Sequence, residues 1–215
     1  MEPPVVKSWS EVVARFLYFV GLPYFSLVLG ILAPKFLGLQ GLEYFTFIDW
    51  GSPSTLAQLQ RALILLLVNW LLDSRLLFVS SLIALLGLTG LRLALARQAV
   101  NLHILPRPAL SRIYELVHWA FYWGLFWSIT DDLYLGVVLG SFLAGLELIL
   151  GYKLPKLWPA RQQQFLGQLL ILILISTLFF YSPNLWLLLP VYLLATAMVA
   201  RPLRLDPEPQ PGDIG

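Results

Sequence analysis

From Thr55 to Arg97 the chain is apolar, broken mainly by Asn69, by Asp73-Ser74-Arg75 and by the entry around Arg61. A span of a bilayer's hydrocarbon core takes roughly 20 predominantly apolar residues. One straight helix over this run would measure about 60 Å, twice the thickness of that core. The run therefore predicts two helices, near 55–72 and 76–96, turning at Asp73-Ser74-Arg75. One span preceded by an interfacial segment is the alternative. Ser52-Pro53-Ser54 reads as the helix start, with Ser54 as N-cap.

Composition places the rest of the chain in the same class. Of 215 residues, 59% are hydrophobic and 12% charged, about half the charge of a soluble domain. Mean hydropathy is +0.78, and a water-soluble protein this apolar has too little polar surface to cover itself. A net charge of +2 is too small to suggest nucleic-acid binding. With no cysteine, disulfides, iron–sulfur clusters and thiolate zinc sites are excluded. Met1 to Ser10 carries Glu2, Pro3 and Pro4 instead of a basic n-region, so the first apolar run is expected to stay in the mature protein.

The expected fold is all-α, a polytopic transmembrane helix bundle with six or seven spans. After an N-terminal segment (1–11), residues 12–97 hold two or three spans. The first runs from about Val12 to Ala33 across Gly21-Leu22-Pro23, where the proline kinks it. An interfacial loop follows at 34–54, with Phe36, Tyr44, Phe45, Phe47 and Trp50. A basic loop at 98–109 leads to a four-helix core at 110–200, with helices near 110–130, 133–151, 162–181 and 184–200. Breaks are expected at Pro106-Arg107-Pro108, Asp131-Asp132, Pro155 to Pro159 and Ser182-Pro183-Asn184. The Pro-rich tail, 201–215, is expected to be disordered.

Loop charge alternates along the second half. Arg92, Arg97, Arg107 and Arg112 crowd one loop, and Asp131 and Asp132 form the next. Lys153, Lys156 and Arg161 follow, then an uncharged turn, then Arg201 and Arg204. The positive-inside rule puts the basic loops and the C-terminus in the cytoplasm. Seven spans place the N-terminus outside, the expected arrangement, and six place it inside.

Ionisable groups at membrane depth are functional candidates by default. Glu115 and His118, three residues apart, share a helix face. Glu147 lies on the next, antiparallel helix at nearly the same distance from the Asp131-Asp132 turn, so the three are expected to form one polar cluster. Two carboxylates there repel unless one is protonated or His118 and Arg112 supply positive charge. His118 is expected to be protonated for that reason. Glu115 also has a plain structural role open to it, pairing with Arg112. A Glu-x-x-His metal site needs a second histidine-bearing helix, and the only other histidine, His103, lies in the basic loop. No metal and no cofactor is expected. Trp119, Phe121, Tyr122, Trp123, Phe126 and Trp127 read as packing and lipid contact. Gly136, Gly140 and Ala144 form a small-residue stripe for close helix packing. Gln162, Gln163, Gln164 and Gln168 read as snorkelling or capping residues.

Tyr114-Glu115-Leu116-Val117-His118-Trp119, Leu143-Ala144-Gly145-Leu146-Glu147 and Asn184-Leu185-Trp186 leading into Tyr192-Leu193-Leu194-Ala195-Thr196 follow one another in order and spacing over about the last 100 residues. In that frame the chain resembles the CAAX-protease and bacteriocin-processing (CPBP) family of intramembrane proteases. The early segment Leu17 to Tyr24 is also similar to some members. The family carries a Glu-Glu pair with an Arg four residues later, then Phe-x-x-x-His, then His-x-x-x-Asn. Here the first Glu is Tyr114, the second is Glu115, the Arg is Trp119, and the two His and the Asn are Glu147, Tyr192 and Thr196. In the family, Glu and His are thought to activate a water, which takes a base and a group stabilising the oxyanion. Tyr192 and Thr196 donate hydrogen bonds but are not bases near neutral pH. The resemblance implies a multi-pass protein of a prokaryotic plasma membrane, catalytically impaired and binding membrane helices or peptides. The alternative is a non-catalytic accessory subunit or assembly factor of a larger membrane complex. Partners are then the lipid bilayer and other membrane proteins. An active protease with rearranged chemistry and a transporter are weaker alternatives, the latter because no inverted halves are visible.

Overall fold

The computed structural model describes residues 9–97, 104, 107–152 and 159–200. His103, Lys153, Lys156, Arg201, Arg204 and the tail at 201–215 lie outside the described residues. Every regular element among those described is helical, with no strand.

The first apolar run forms α1 (Trp9–Phe16), a π-helical turn (Leu17–Gly21) and α2 (Leu22–Val28) on a continuous helical backbone. The wide turn answers Pro23, which lacks an N–H and whose ring crowds the carbonyl four residues back. The expected span to Ala33 stops at Val28. Gly30 turns into the left-handed region (φ 68), and the amides of Ile31 and Leu32 both fold back to donate to the Ser26 carbonyl at 2.9 and 3.1 Å.

The aromatic segment 34–54 lies against protein. Its 3-10 turn, Pro34–Leu37, ends at Gly38 with φ 70. A Cβ there would sit 2.8 Å from the Phe179 ring and 3.0 Å from the Pro183 carbonyl oxygen, so both conformation and space demand glycine. The Gly38 carbonyl accepts the Leu185 amide at 2.7 Å. The short α3 (Glu43–Thr46) and its flanks then pack along α4 (Thr55–Arg97). Asn69 bonds the Tyr44 hydroxyl, and the Asp49 amide donates to Gln58 at 2.8 Å. Leu37 and Ile48 are buried, whereas Phe47 and Trp50 stay exposed.

α4 is one unbroken helix of 43 residues. The expected turn at Asp73-Ser74-Arg75 does not form. None of the three is a helix breaker, and the Ser74 hydroxyl back-bonds to the Leu71 carbonyl at 2.8 Å. Tertiary contacts also hold the helix on through the polar step. Asn184 donates to Asp73 at 3.2 Å, and Arg92 donates to the Met198 carbonyl, an acceptor left open in the last turn of α8. At its start, Ser54 supplies the first carbonyl to Gln58 N at 3.0 Å, while its hydroxyl accepts from the Gln58 side chain instead of a backbone amide.

The second half folds as α5 (Ala109–Thr130), α6 (Leu133–Tyr152), α7 (Pro159–Tyr181) and α8 (Leu185–Ala200). α5 and α6 meet through a tight turn. Asp131 is left-handed (φ 53), and Asp132 accepts the Leu135 amide at 2.9 Å as the cap of α6. The small-residue stripe is the contact surface. A Cβ on Gly136 would lie 2.5 Å from the Trp127 backbone, and one on Gly140 2.7 Å from the Tyr122 and Trp123 backbone. A polar chain then ties three helices: Trp123 donates to Ser141 at 3.0 Å, and Ser141 to Ser176 at 2.7 Å.

Among the described residues three helices are long and apolar enough to cross a membrane: Thr55–Arg97, Leu133–Gly151 and Gln162–Tyr181. α2 with its preceding turn and α8 are shorter apolar helices. The protein is thus a helical membrane protein. α5 is the exception in polarity and the most enclosed in position. Trp119, Tyr122 and Trp123 are buried, so this half of its aromatic run packs within the bundle, not on lipid.

Candidate functional site

α5 carries a polar residue toward each of two neighbours, and the expected single cluster of Glu115, His118 and Glu147 separates into two networks. Successive residues on a helix advance by 100°, so a three-residue step leaves Glu115 and His118 about 60° apart. That angle suffices to send them to different neighbours. Glu115 faces α7 and α8, whereas His118 faces α6 and the first helix. Among the described residues, the partners of Glu115 (Arg107, Arg112, Gln168, Tyr192) and those of Glu147 (Tyr122, His118) do not overlap.

The Glu115 carboxylate is saturated. One oxygen accepts Gln168 from α7 at 2.5 Å and Arg107 at 3.4 Å. The other accepts Arg112 at 3.2 Å and the Tyr192 hydroxyl of α8 at 2.8 Å. Arg112 also donates to the Gln168 carbonyl oxygen at 3.3 Å, closing a ring of three residues. Arg112, Glu115, Gln168 and Tyr192 are all buried. Burying a charge this deeply is tolerable only when it is paired and its lone pairs are filled, and here four donors, from α5, α7, α8 and the loop before α5, fill them. Trp119 packs edge-on against Tyr192, with ring centroids 5.7 Å apart.

The second network centres on His118, 0% exposed. The rings of Tyr18, Phe19 and Tyr122 stand 4.3, 5.0 and 4.5 Å from it. Its Nε2 lies 3.5 Å from a Glu147 oxygen, but neither ring nitrogen makes an aligned hydrogen bond. The contact is a close approach without donor geometry. Glu147 instead accepts the Tyr122 hydroxyl at 3.2 Å, and Tyr122 meets Tyr18 at 2.6 Å. The network therefore fastens the first helix to α5 and α6.

Of the positions that the resemblance singles out, Glu115, Trp119 and Tyr192 come together. Glu147 belongs to the other network. Thr196 turns to its own helix, donating to the Leu193 carbonyl at 2.9 Å. Tyr114 is half-buried and takes no part in either network. Gln168, Arg107, Tyr18 and Tyr122 are the partners that the sequence did not reveal as such. Gln168 stood in a glutamine-rich helix start, yet one turn below Gln164 it is already buried and bonded. Among the described residues no three His, Cys, Asp or Glu side chains are placed to hold a metal ion.

Chemically, the first network is a closed structural hub. The second has an imidazole and a carboxylate, and the hydroxyl set on that carboxylate is the Tyr122 phenol, which donates to Glu147. Compared with protein-family models, with curated proteins and with solved structures, the chain matches none of them.

Proposed function

We propose that the chain is a polytopic membrane protein built on a CPBP-like frame, which binds membrane helices or peptides without hydrolysing them. The observation that carries this reading is the saturation of Glu115 by Gln168, Arg107, Arg112 and Tyr192. A general base needs a lone pair facing a water or substrate, and this carboxylate has its lone pairs engaged by protein donors. Among the described residues no imidazole lies on it to share the work. The test is peptide hydrolysis by the purified chain and its Glu115→Gln variant. Equal background rates are expected. A clear fall in turnover on that substitution would overturn the reading.

The finer topology belongs to the same proposal. Six crossings fit the packing: α1 with α2, the distal half of α4, and α5 to α8. Tyr18 stands beside Tyr122, and Phe36 meets Trp127 with ring centroids 5.1 Å apart, so the first helix runs in the same direction as α5. The N-terminus then lies on the basic-loop side with the C-terminus, cytoplasmic by the positive-inside rule.

A second reading, an accessory subunit of a larger complex, is favoured by the proximal half of α4. Beyond the Asp73–Asn184 contact it leaves Leu56, Leu67 and Leu71 77, 61 and 59% exposed, an apolar face of the kind that partners cover. A gentle-detergent pull-down from the native host separates the two. Substoichiometric helices or peptides support binding, and a stoichiometric complex supports the accessory role.

A further inference from the structure

α4 and α8 are bonded to each other at two levels, Asp73 to Asn184 and Arg92 to the Met198 carbonyl. Between those levels they part to leave an open groove of about 420 Å³. Ser74, Arg75, Leu77, Phe78 and Ser81 line it from α4, and Leu187 and Val191 from α8. The spacings 74, 77, 78, 81 and 187, 191 each trace one helix face.

Two features of this groove are unexplained by the fold. Arg75 is exposed at its mouth and, unlike Arg92, Arg107 and Arg112, makes no hydrogen bond or ion pair with any described residue. The Ser81 hydroxyl is buried and unpartnered. Hydroxyls on membrane helices ordinarily bond back to the preceding turn, as Ser80, Thr89 and Ser176 do here at 2.9, 2.8 and 2.7 Å. Ser81 forgoes that bond, and a buried polar group without a partner calls for one.

We infer that this groove is a phospholipid site, taking a phosphodiester at Arg75 and an acyl chain along Leu77, Phe78, Leu187 and Val191. Arg75 sits two residues from the Asp73–Asn184 contact, at the end of the bundle where α8 begins, which is the level of lipid phosphates around a membrane protein. Guanidinium and phosphate match in charge and donor geometry. Ser81 lies six residues deeper, about 9 Å along the helix, on the side where glycerol ester carbonyls lie below the phosphate. Its hydroxyl donates there. The groove's outer wall, Phe78, is 71% exposed, so a chain enters sideways from the bilayer.

The experiment is native mass spectrometry of the full chain, delipidated in a maltoside detergent and titrated with dioleoylphosphatidylglycerol. Dioleoylglycerol (the same chains without phosphate) and glycerol phosphate (the head without chains) are the controls. One phosphatidylglycerol should be retained, with little retention of either control. Arg75→Gln should weaken retention about tenfold, the loss of one charge-assisted contact, and Ser81→Ala several-fold. Arg75 is exposed and unpartnered, so its variant is expected to fold as wild type, which the unfolding temperature verifies. Equal retention by wild type and Arg75→Gln would overturn the site. Glycerol phosphate bound as tightly as the lipid would show a soluble-anion site and overturn the lipid assignment.

Discussion

Glu115 shows how a single residue type can be legible while its role is not. An acidic residue one turn inside a membrane helix stands out in the sequence, and so does its pairing with Arg112, three residues earlier. The remaining donors do not, because Gln168 and Tyr192 lie 53 and 77 positions away. Gln168 is the most informative of them, since it both donates to Glu115 and accepts from Arg112. Gln168→Ala leaves two buried charged groups each short of a partner, at a cost of about 1–3 kcal/mol. Thermal unfolding in detergent measures this. A variant as stable as wild type would show that Glu115 is held by its arginines and Tyr192 without help from Gln168.

At the scale of the element, α4 departs most from its sequence reading. Length against bilayer thickness argued for two helices, and the polar triplet at 73–75 offered a place to turn. Length is a constraint only on the part of a helix that crosses. The distal half packs along α8, while the proximal half runs beside the 38–50 segment through Asn69–Tyr44 and Gln58–Asp49. Spin labels at the exposed positions Leu63 and Leu86 decide between the two forms. They stand about 35 Å apart in one continuous helix. In a hairpin turning at Ser74 they face each other, at roughly the 8–10 Å of packed helices. A short distance would restore the two-helix form and undo the groove between α4 and α8. In α5 and α6, by contrast, the local signals carried over directly. The Gly136, Gly140, Ala144 stripe is the packing surface, and Asp131-Asp132 is the turn.

For the whole molecule, the order of helices and the alternation of loop charge combine into an orientation. A reporter inserted between Asp131 and Asp132 should read as external, and one fused after Arg204 as cytoplasmic. With α4 a single helix, an N-terminal reporter should read cytoplasmic too, the reverse of what seven spans imply. An external N-terminus would require a seventh crossing and so a break in α4. A cytoplasmic signal from the Asp131 insertion would invert the second half entirely.

The sequence by itself determined that this is a helical membrane protein, where most of its helices stop, and which face of α6 is small enough to pack closely. Those properties are local: apolar run length, proline and aspartate at the ends, glycine at a four-residue period. Tertiary structure alone decided that Glu115 and His118 serve separate networks, that Tyr18 reaches Tyr122 across 104 positions, and that Asn184 ties down Asp73 across 111. A polar group in an apolar bundle takes its partner from whichever helix is pressed against it. In apolar helices that neighbour is set by packing over the whole bundle, which no short stretch of sequence encodes.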